Sequence, residues 1–160
     1  MPDPGAGTDR EPAAIACLAR TRSAVLNVLV VVGAGIAASG WVLGRHDPDA
    51  VLPWGPERTG RAFMAALLVL AGFAYLLLRV GSSREALREP DRRASNFFKA
   101  RVGAASVAGL AVPLGFAYGW LIDPHLQALA PFWVAALGLG FLALPRGMEL
   151  DDFDEPMNLQ

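Results

Sequence analysis

The sequence predicts an all-α membrane protein with four transmembrane helices in a small bundle. Four long apolar runs contain no Asp, Glu, Lys, Arg or His. A helix rises about 1.5 Å per residue, so roughly 20 residues match the hydrocarbon core of a bilayer, which is about 30 Å thick. The hydrophobic content of 54% also exceeds the value of about 45–50% that is usual for soluble domains. The runs are Ala24–Gly44, Ala62–Leu78 (with the span extending to about residue 80), Val102–Ile122 and Leu126–Leu144.

The segment before the first run, residues 1–23, is predicted to be a partly disordered arm. Its first half is polar and rich in proline and glycine, a composition that cannot bury a core. Residues 13–23 are expected to form a short helix that continues into the first span. The single cysteine, Cys17, excludes an intramolecular disulfide and any metal site made of several cysteines.

The first two connections between the runs differ in composition. Residues 45–61 contain three prolines, which predicts an irregular loop. Residues 81–101 form a basic loop that is expected to become helical from Arg92 towards the third span. Pro90 is expected to interrupt any helix before that point.

The third connection is only a few residues long and begins with Asp123-Pro124. Asp is a good N-cap and Pro suits the first helical position, so spans three and four should form an antiparallel hairpin. The remaining residues, 145–160, carry a run of acidic side chains and are predicted to be a disordered tail.

The distribution of Lys and Arg predicts that both termini are cytoplasmic. Cytoplasmic loops of membrane proteins carry an excess of these residues. With the N-terminus inside, eleven of the 14 basic residues fall on the cytoplasmic side, and only Arg45, Arg58 and Arg61 lie outside. All four Trp residues fall near the outer ends of the spans. The abundance of arginine, alanine and glycine points to a GC-rich bacterial genome, and the expected location is the plasma membrane.

Small residues recur at every fourth position in two of the predicted spans. Gly40 and Gly44 form a G-x-x-x-G pair in the first span, and Ala111, Gly115 and Gly119 form a longer stripe in the third. Small residues let membrane helices approach closely. Two interpretations are open: packing inside this bundle, or a surface that binds another subunit or a second copy of the chain.

Two prolines lie inside the predicted spans, at Pro113 and Pro131. Proline removes a backbone hydrogen-bond donor and its ring crowds the preceding turn, so each is expected to bend its helix locally. Such a bend is either static or part of a gate.

The spans offer few groups with chemical reactivity. Asn27, Ser39 and Ser106 are their polar residues, with Gln127 at one end. Ionisable side chains at membrane depth mark proton relays and metal sites, and their absence argues against a proton-coupled pump and against haem ligation. A G-x-G-x-x-A pattern starts at Gly33, but the strand and the acidic residue of a dinucleotide site are missing around it. No cofactor is therefore predicted.

Both histidines lie in predicted outer connections beside aspartates. Imidazole and carboxylate groups are ligands for divalent metals if the connections after the first and third spans meet. The spacing matches no known metal-binding pattern, and the other interpretation is that Asp-Pro turns start helices there. The weak metal candidates are His46, Asp47, Asp49, Asp123 and His125.

The basic loop is expected to contact lipid headgroups. Near an anionic leaflet each basic side chain gains about 1 kcal/mol, so this segment suits the cytoplasmic membrane surface. It is short and mixed in charge, and no nucleic-acid binding is predicted. The candidate residues are Arg84, Arg88, Arg92, Arg93, Lys99 and Arg101.

These features favour a non-enzymatic accessory or scaffold subunit that associates with the lipid bilayer and with another membrane protein or itself. Two alternatives are open. One is a small homo-oligomeric transporter or channel whose pore is lined by Ser39, Ser106 and the backbone near Pro113. The other is a membrane enzyme or metal-binding protein that uses His46 and His125.

Overall fold

The computed structural model describes residues 10–45, 56–81 and 90–146. Within these ranges the regular structure is entirely helical and contains no strand, which confirms the all-helical prediction. The helices are α1 (Arg10–Leu43), α2 (Pro56–Gly81), α3 (Pro90–Gly109), α4 (Ala111–Leu121) and α5 (Leu126–Leu142).

Three stretches are long and apolar enough to cross a membrane. They are Ile15–Leu43 with 29 residues, Glu57–Gly81 with 25, and Ala94–Leu121, which spans α3 and α4, with 28. Helix α5 is also apolar but has 17 residues, a length of about 25 Å at the usual helical rise. The protein therefore has three helical stretches that are candidate membrane spans and one shorter apolar helix.

Helix α1 starts earlier than the composition indicates. Residues 10–12 were expected to be disordered, but they belong to the helix. Pro12 falls in the first turn, where the backbone N–H groups have no intrahelical acceptor, so its missing donor costs little. Nothing in the following segment breaks the helix before the first apolar run.

Helix α2 also starts earlier than predicted. The irregular loop was expected to reach Arg61, whereas the helix begins at Pro56. Proline is favoured at the first helical position, and Glu57 places a negative charge in the first turn, near the positive end of the helix dipole. Glu57 also lies 3.8 Å from the guanidinium of Arg61, one turn further on, in an exposed ion pair.

The third predicted span is a helix interrupted at one residue, Leu110. Pro113 cannot donate to the carbonyl of Gly109, so the ladder loses one bond there. The backbone N–H of Leu110 donates instead to Val107 at 3.1 Å, a tighter turn than the α-helical one. The break therefore lies three residues before the proline that causes it.

Helices α4 and α5 form an antiparallel hairpin, but its turn differs from the prediction. The N-cap of α5 is His125 and not Asp123, and Pro124 precedes the helix. Asp123 Oδ1 accepts the backbone N–H of His125 at 3.0 Å. Aspartate commonly accepts a hydrogen bond from the backbone N–H two residues further on, in place of capping a helix. Here this turn places the start of α5 two residues later than predicted.

The core lies between α1, the α3–α4 pair and α5, with α2 at its edge. One buried cluster joins Val32, Leu67, Val112, Phe132 and Ala136, and so connects α1, α2, α4 and α5. A second cluster, nearer the start of α1, joins Val25 and Leu29 to Ala104, Ala105 and Ala143. Alanine and glycine dominate the contacts of α3 and α4, so these helices lie close to their neighbours.

Candidate functional site

The small-residue stripe of α4 faces the inside of the bundle. A Cβ atom on Gly115 would lie 2.7 Å from Cβ of Phe132, and one on Gly119 would lie 2.6 Å from Cδ1 of Leu43. Ala111, on the same face, is 1% exposed. Helices α1 and α5 therefore cover this stripe, and in this structure it is closed to a second protein.

The glycines of α1 are less confined. Gly40 faces the indole of Trp133, whose nearest atom would lie 3.5 Å from a Cβ on that glycine. Gly44 lies beyond the end of α1, and a Cβ there would approach the carbonyl of Gly40 in its own chain. The pair therefore does not form one packing surface.

The sequence reasoning missed the close contact at Gly140. A Cβ there would lie 2.6 Å from Cδ2 of Leu29. Ala136 and Gly140 are both buried and four residues apart, so the same small-residue pattern that was noted elsewhere marks this contact too.

A groove of about 500 Å³ lies between α1 and the α3–α4 pair and is open to the side. We call it the α1–α3 groove. Its walls are apolar for most of their length. Its lining residues are Asn27, Val28, Val31, Val32, Gly35, Ser106, Gly109, Val112 and Pro113.

The polar groups of the groove are set in this apolar wall. Asn27 and Ser106 are both exposed and both line the groove. The carbonyl of Gly109 is deprived of its helical donor by Pro113. Hydrocarbon offers these groups no hydrogen bond, and leaving a polar group without one costs free energy. The groove therefore favours an occupant that supplies hydrogen-bonding groups.

The residues expected to line a pore are not brought together. Ser106 and Pro113 line the α1–α3 groove, whereas Ser39 is 5% exposed and lies on the buried face of α1. The Ser39 hydroxyl donates to the carbonyl of Ile36 at 2.9 Å. Its hydrogen-bonding capacity is used inside its own helix.

The structure describes two of the five metal candidates. Asp123 and His125 lie together in the turn before α5, where the imidazole Nδ1 is 2.5 Å from the carboxylate. His46, Asp47 and Asp49 lie outside the described residues. Across residues 10–45, 56–81 and 90–146, no group of three His, Cys, Asp or Glu side chains is placed to hold a metal ion.

The pKa of the Asp123 carboxyl lies below its ordinary value. Partial burial by itself raises this pKa, but the backbone N–H of His125, its imidazole hydrogen bond and its charge together lower it. His125 thus stabilises the charged form of the Asp123 carboxylate.

Arg101 corrects the prediction about lipid headgroups. It is 8% exposed, and its Nη1 donates to the carbonyl of Leu142 at 3.1 Å, at the last turn of α5. The guanidinium carbon also lies 5.2 Å from the ring centre of Phe97. A cation at a helix C-terminus satisfies carbonyls that lack intrahelical donors and interacts favourably with the dipole. Arg101 therefore holds α3 to α5 and is not presented to lipid.

The other candidates for headgroup contact have different positions. Lys99 is exposed on α3. Arg92 and Arg93 lie within α3, but their side chains are not described. Arg84 and Arg88 lie outside the described ranges. The headgroup interpretation remains a prediction for these residues.

Comparison of the chain with protein-family models, with curated proteins and with solved structures finds no match. Interpretation of the α1–α3 groove therefore rests on its own chemistry.

Proposed function

We propose that the protein crosses a bacterial plasma membrane four times, with both termini in the cytoplasm. The Lys and Arg bias supports this orientation. The antiparallel packing of α5 against α1 supports a fourth crossing, since Gly140 contacts Leu29 while Trp133 contacts Gly40. Trp41 and Trp120 are exposed at the ends of α1 and α4, which suits an outer aromatic belt.

Cysteine labelling tests this topology. In a Cys17→Ser background, Lys99→Cys and Glu57→Cys place single thiols at exposed positions at opposite ends of the bundle. A membrane-impermeant maleimide should label the Glu57→Cys variant in intact spheroplasts and the Lys99→Cys variant only in inverted vesicles. The opposite pattern, or labelling of both from one side, would contradict the proposal.

Within this topology, the function that the structure supports best is a non-enzymatic accessory subunit. The single observation that carries it is the α1–α3 groove, which exposes Asn27 and Ser106 in an apolar wall at the side of the bundle. We propose that a transmembrane helix of another membrane protein lies in this groove. Hydroxyl and amide side chains hydrogen-bond across membrane helices, with about 0.6 kcal/mol or more for each bond.

A helix suits the groove better than an isolated polar solute. The walls are formed by valines and glycines, which allow close approach, and a helix keeps its own backbone satisfied in lipid. The stripe of Ala111, Gly115 and Gly119 is covered by the protein's own helices, whereas the α1–α3 groove is open to a partner.

Two neighbouring valines provide a matched test. Val31 lines the groove and is 71% exposed, whereas Val30 is 70% exposed and does not line it. Val31→Trp should fill the groove and remove the high-mass complex seen by blue-native electrophoresis after mild detergent extraction. Val30→Trp adds the same bulk on another face of α1 and should leave that complex intact.

Three results would contradict the proposal. The first is migration of the unchanged protein only as a monomer or small homo-oligomer. The second is a complex that survives Val31→Trp. The third is equal loss in both variants, which would indicate that bulk anywhere on α1 disturbs assembly.

A further inference from the structure

A pocket of about 480 Å³ lies between α1 and α3, in the first turns of both helices. We call it the Arg20 pocket. Cys17 and Arg20 line it on α1, and Ser95 and Phe98 line it on α3. The guanidinium carbon of Arg20 lies 5.4 Å from the ring centre of Phe98, so this contact joins the two helices. The pocket therefore combines a cation held against an aromatic ring with a hydroxyl group.

The Arg20 pocket lies on the same face of the bundle as the α1–α3 groove. Eleven residues make about three helical turns, so positions with this spacing lie above one another on a helix. Arg20 and Val31 on α1 have this spacing, and so do Phe98 and Gly109 on α3. An occupant that lies along the groove at Val31 therefore reaches Arg20 about 16 Å further on.

Arg20 gives the end of this face a positive charge. Its side chain is exposed, and it precedes the first apolar run by four positions, which places it at the cytoplasmic boundary in the proposed topology. None of the described residues that line the Arg20 pocket is acidic. Complementary charges across an interface favour the correct partner and exclude others. This face therefore favours an occupant with a negative charge at the level of Arg20.

The deeper part of the face distinguishes a protein helix from an anionic lipid. Asn27 lies seven positions after Arg20, or about 10 Å deeper in the membrane, and Ser106 lines the groove from the other wall. An acyl chain offers no hydrogen bond to either side chain. A helix can place an amide or hydroxyl group there and still satisfy its own backbone. A lipid thus matches the charged end alone, whereas a helix matches both levels.

A second copy of this chain does not supply the negative charge. Among the residues whose side chains the structure describes, the acidic ones are Glu57 and Asp123, and both lie at the opposite end of the bundle from Arg20. Copies that share a membrane share an orientation, so neither carboxylate reaches the level of Arg20 in a neighbouring copy. The matching charge therefore belongs to a different protein.

We propose that the partner helix carries an Asp or Glu at its cytoplasmic boundary that pairs with Arg20, and an amide or hydroxyl side chain about seven residues deeper that bonds to Asn27. This rests on the proposed function and adds the chemistry of the partner to it. The guanidinium donates two parallel hydrogen bonds to a carboxylate, and the Ser95 hydroxyl supplies a further donor from the α3 wall. A helix with Lys or Arg at this level is repelled.

Charge variants of Arg20 test the proposal by blue-native electrophoresis of the full-length protein at several dilutions. Arg20→Glu should weaken the high-mass complex about tenfold and Arg20→Gln about threefold, because repulsion between like charges costs more than the loss of an ion pair. Arg22→Glu is the matched control, since Arg22 is exposed two positions away and does not line the Arg20 pocket. That variant should leave the complex intact. Helix content by circular dichroism checks that each variant is folded.

Photocrosslinking reads the chemistry of the partner directly. A benzoylphenylalanine placed at Ser95 should crosslink, on mass spectrometry of the digested complex, to a peptide with Asp or Glu within one turn of the end of an apolar run. The same residue placed at Lys99, which is exposed on α3 but does not line the Arg20 pocket, should not capture that peptide.

The proposal is overturned if Arg20→Glu leaves the complex intact while Val31→Trp removes it, because the partner then occupies the groove without contacting Arg20. Equal loss in Arg20→Glu and Arg22→Glu would also overturn it, as would crosslinking from Ser95 to lipid alone or to a basic helix end. In each of these cases the proposed partner helix in the α1–α3 groove is still supported by the loss of the complex in Val31→Trp. A complex that survives Val31→Trp instead contradicts the proposed function itself, and this proposal with it.

Discussion

The contacts of α4 with α5 differ in kind from the contacts that the middle of α2 makes with the rest of the bundle. Between α4 and α5, glycine allows the helices to meet with almost no space, as at Gly115 and Phe132. Helix α2 is buried along a narrow line, which includes Leu67, Ala74 and Gly81, and its close glycine contact lies at its last residue, where a Cβ on Gly81 would meet Cβ of Ala100 on α3. These positions are seven residues apart, the spacing of a left-handed helix seam.

The difference shows how a membrane bundle is stabilised. Lipid is as apolar as leucine, so burying an apolar side chain from lipid gains little, and close van der Waals contact decides which helices associate. Helix α2 exposes large side chains on either side of its seam, among them Leu68, Val69 and Phe73. We therefore expect the hairpin of α4 and α5 to tolerate added volume poorly, and the outer faces of α2 to tolerate it well.

The largest expected effect comes from adding volume at Gly115. Gly115→Leu drives its side chain into Cβ of Phe132, an atom that no rotamer change can move, so one of the two helices must shift. Overpacking typically costs 1–3 kcal/mol, and we expect about 3 kcal/mol here. Thermal unfolding in detergent measures it.

Gly72→Leu in α2 is the matched control, because nothing lies within 4 Å of a Cβ at Gly72. This variant should unfold within a few degrees of the unchanged protein. Equal loss of stability in both variants would remove the distinction between the two regions.

Next in size is the loss of the buried guanidinium. Arg101→Met removes the donor to the Leu142 carbonyl and the contact with Phe97 but retains an unbranched side chain of similar length. Hydrogen bonds from charged groups contribute about 1.5–3 kcal/mol, so a loss of about 2 kcal/mol is expected in denaturant unfolding.

Lys99→Met provides the control for Arg101→Met, since it removes one exposed positive charge from the same helix. Its effect should stay within about 0.5 kcal/mol. If Arg101→Met is equally neutral, Arg101 does not hold α3 to α5.

A smaller loss is expected along the seam of α2. Leu67 is 8% exposed and Leu68 is 73% exposed, so Leu67→Ala removes contacts with the bundle while Leu68→Ala removes contacts with lipid. The buried substitution should cost about 1 kcal/mol, towards the lower end of core truncations, because lipid replaces some of the lost contacts. The exposed one should have no measurable effect in the same detergent melt. A larger cost for Leu68→Ala would show that α2 packs through another face.

The sequence was sufficient for features that depend on hydrophobicity and not for those that depend on distant contacts. Runs without charge located the helical core of each span, but the extension of α2 back to Pro56 depends on local favourable interactions at a helix start. Pro113 marked the interruption at Leu110, since the missing donor belongs to the proline itself.

The site was less accessible to sequence reasoning. Arg101 looked like one of several basic residues because its acceptor, Leu142, lies 41 positions away. The α1–α3 groove is lined by both Asn27 and Ser106, and no local pattern reveals that these two residues line the same groove from different helices. The stripe containing Gly115 was visible in the sequence, but the side chain that covers it was not.

The smallest effect is expected at the turn that joins α4 to α5. The pKa of Asp123 is lowered in the folded state, so its interaction with His125 contributes fully above the ordinary carboxyl pKa of 3.8. That contribution is lost as the pH falls from there through the lower folded pKa, because protonation removes the carboxylate acceptor. The side chain is 39% exposed, so solvent screens the pair and its contribution stays below about 0.5 kcal/mol. Asp123→Asn should therefore lower stability slightly at pH 6 and not at all at pH 2.5, as thermal unfolding at the two pH values measures. An equal loss at both would assign the effect to the turn geometry and not to the charge.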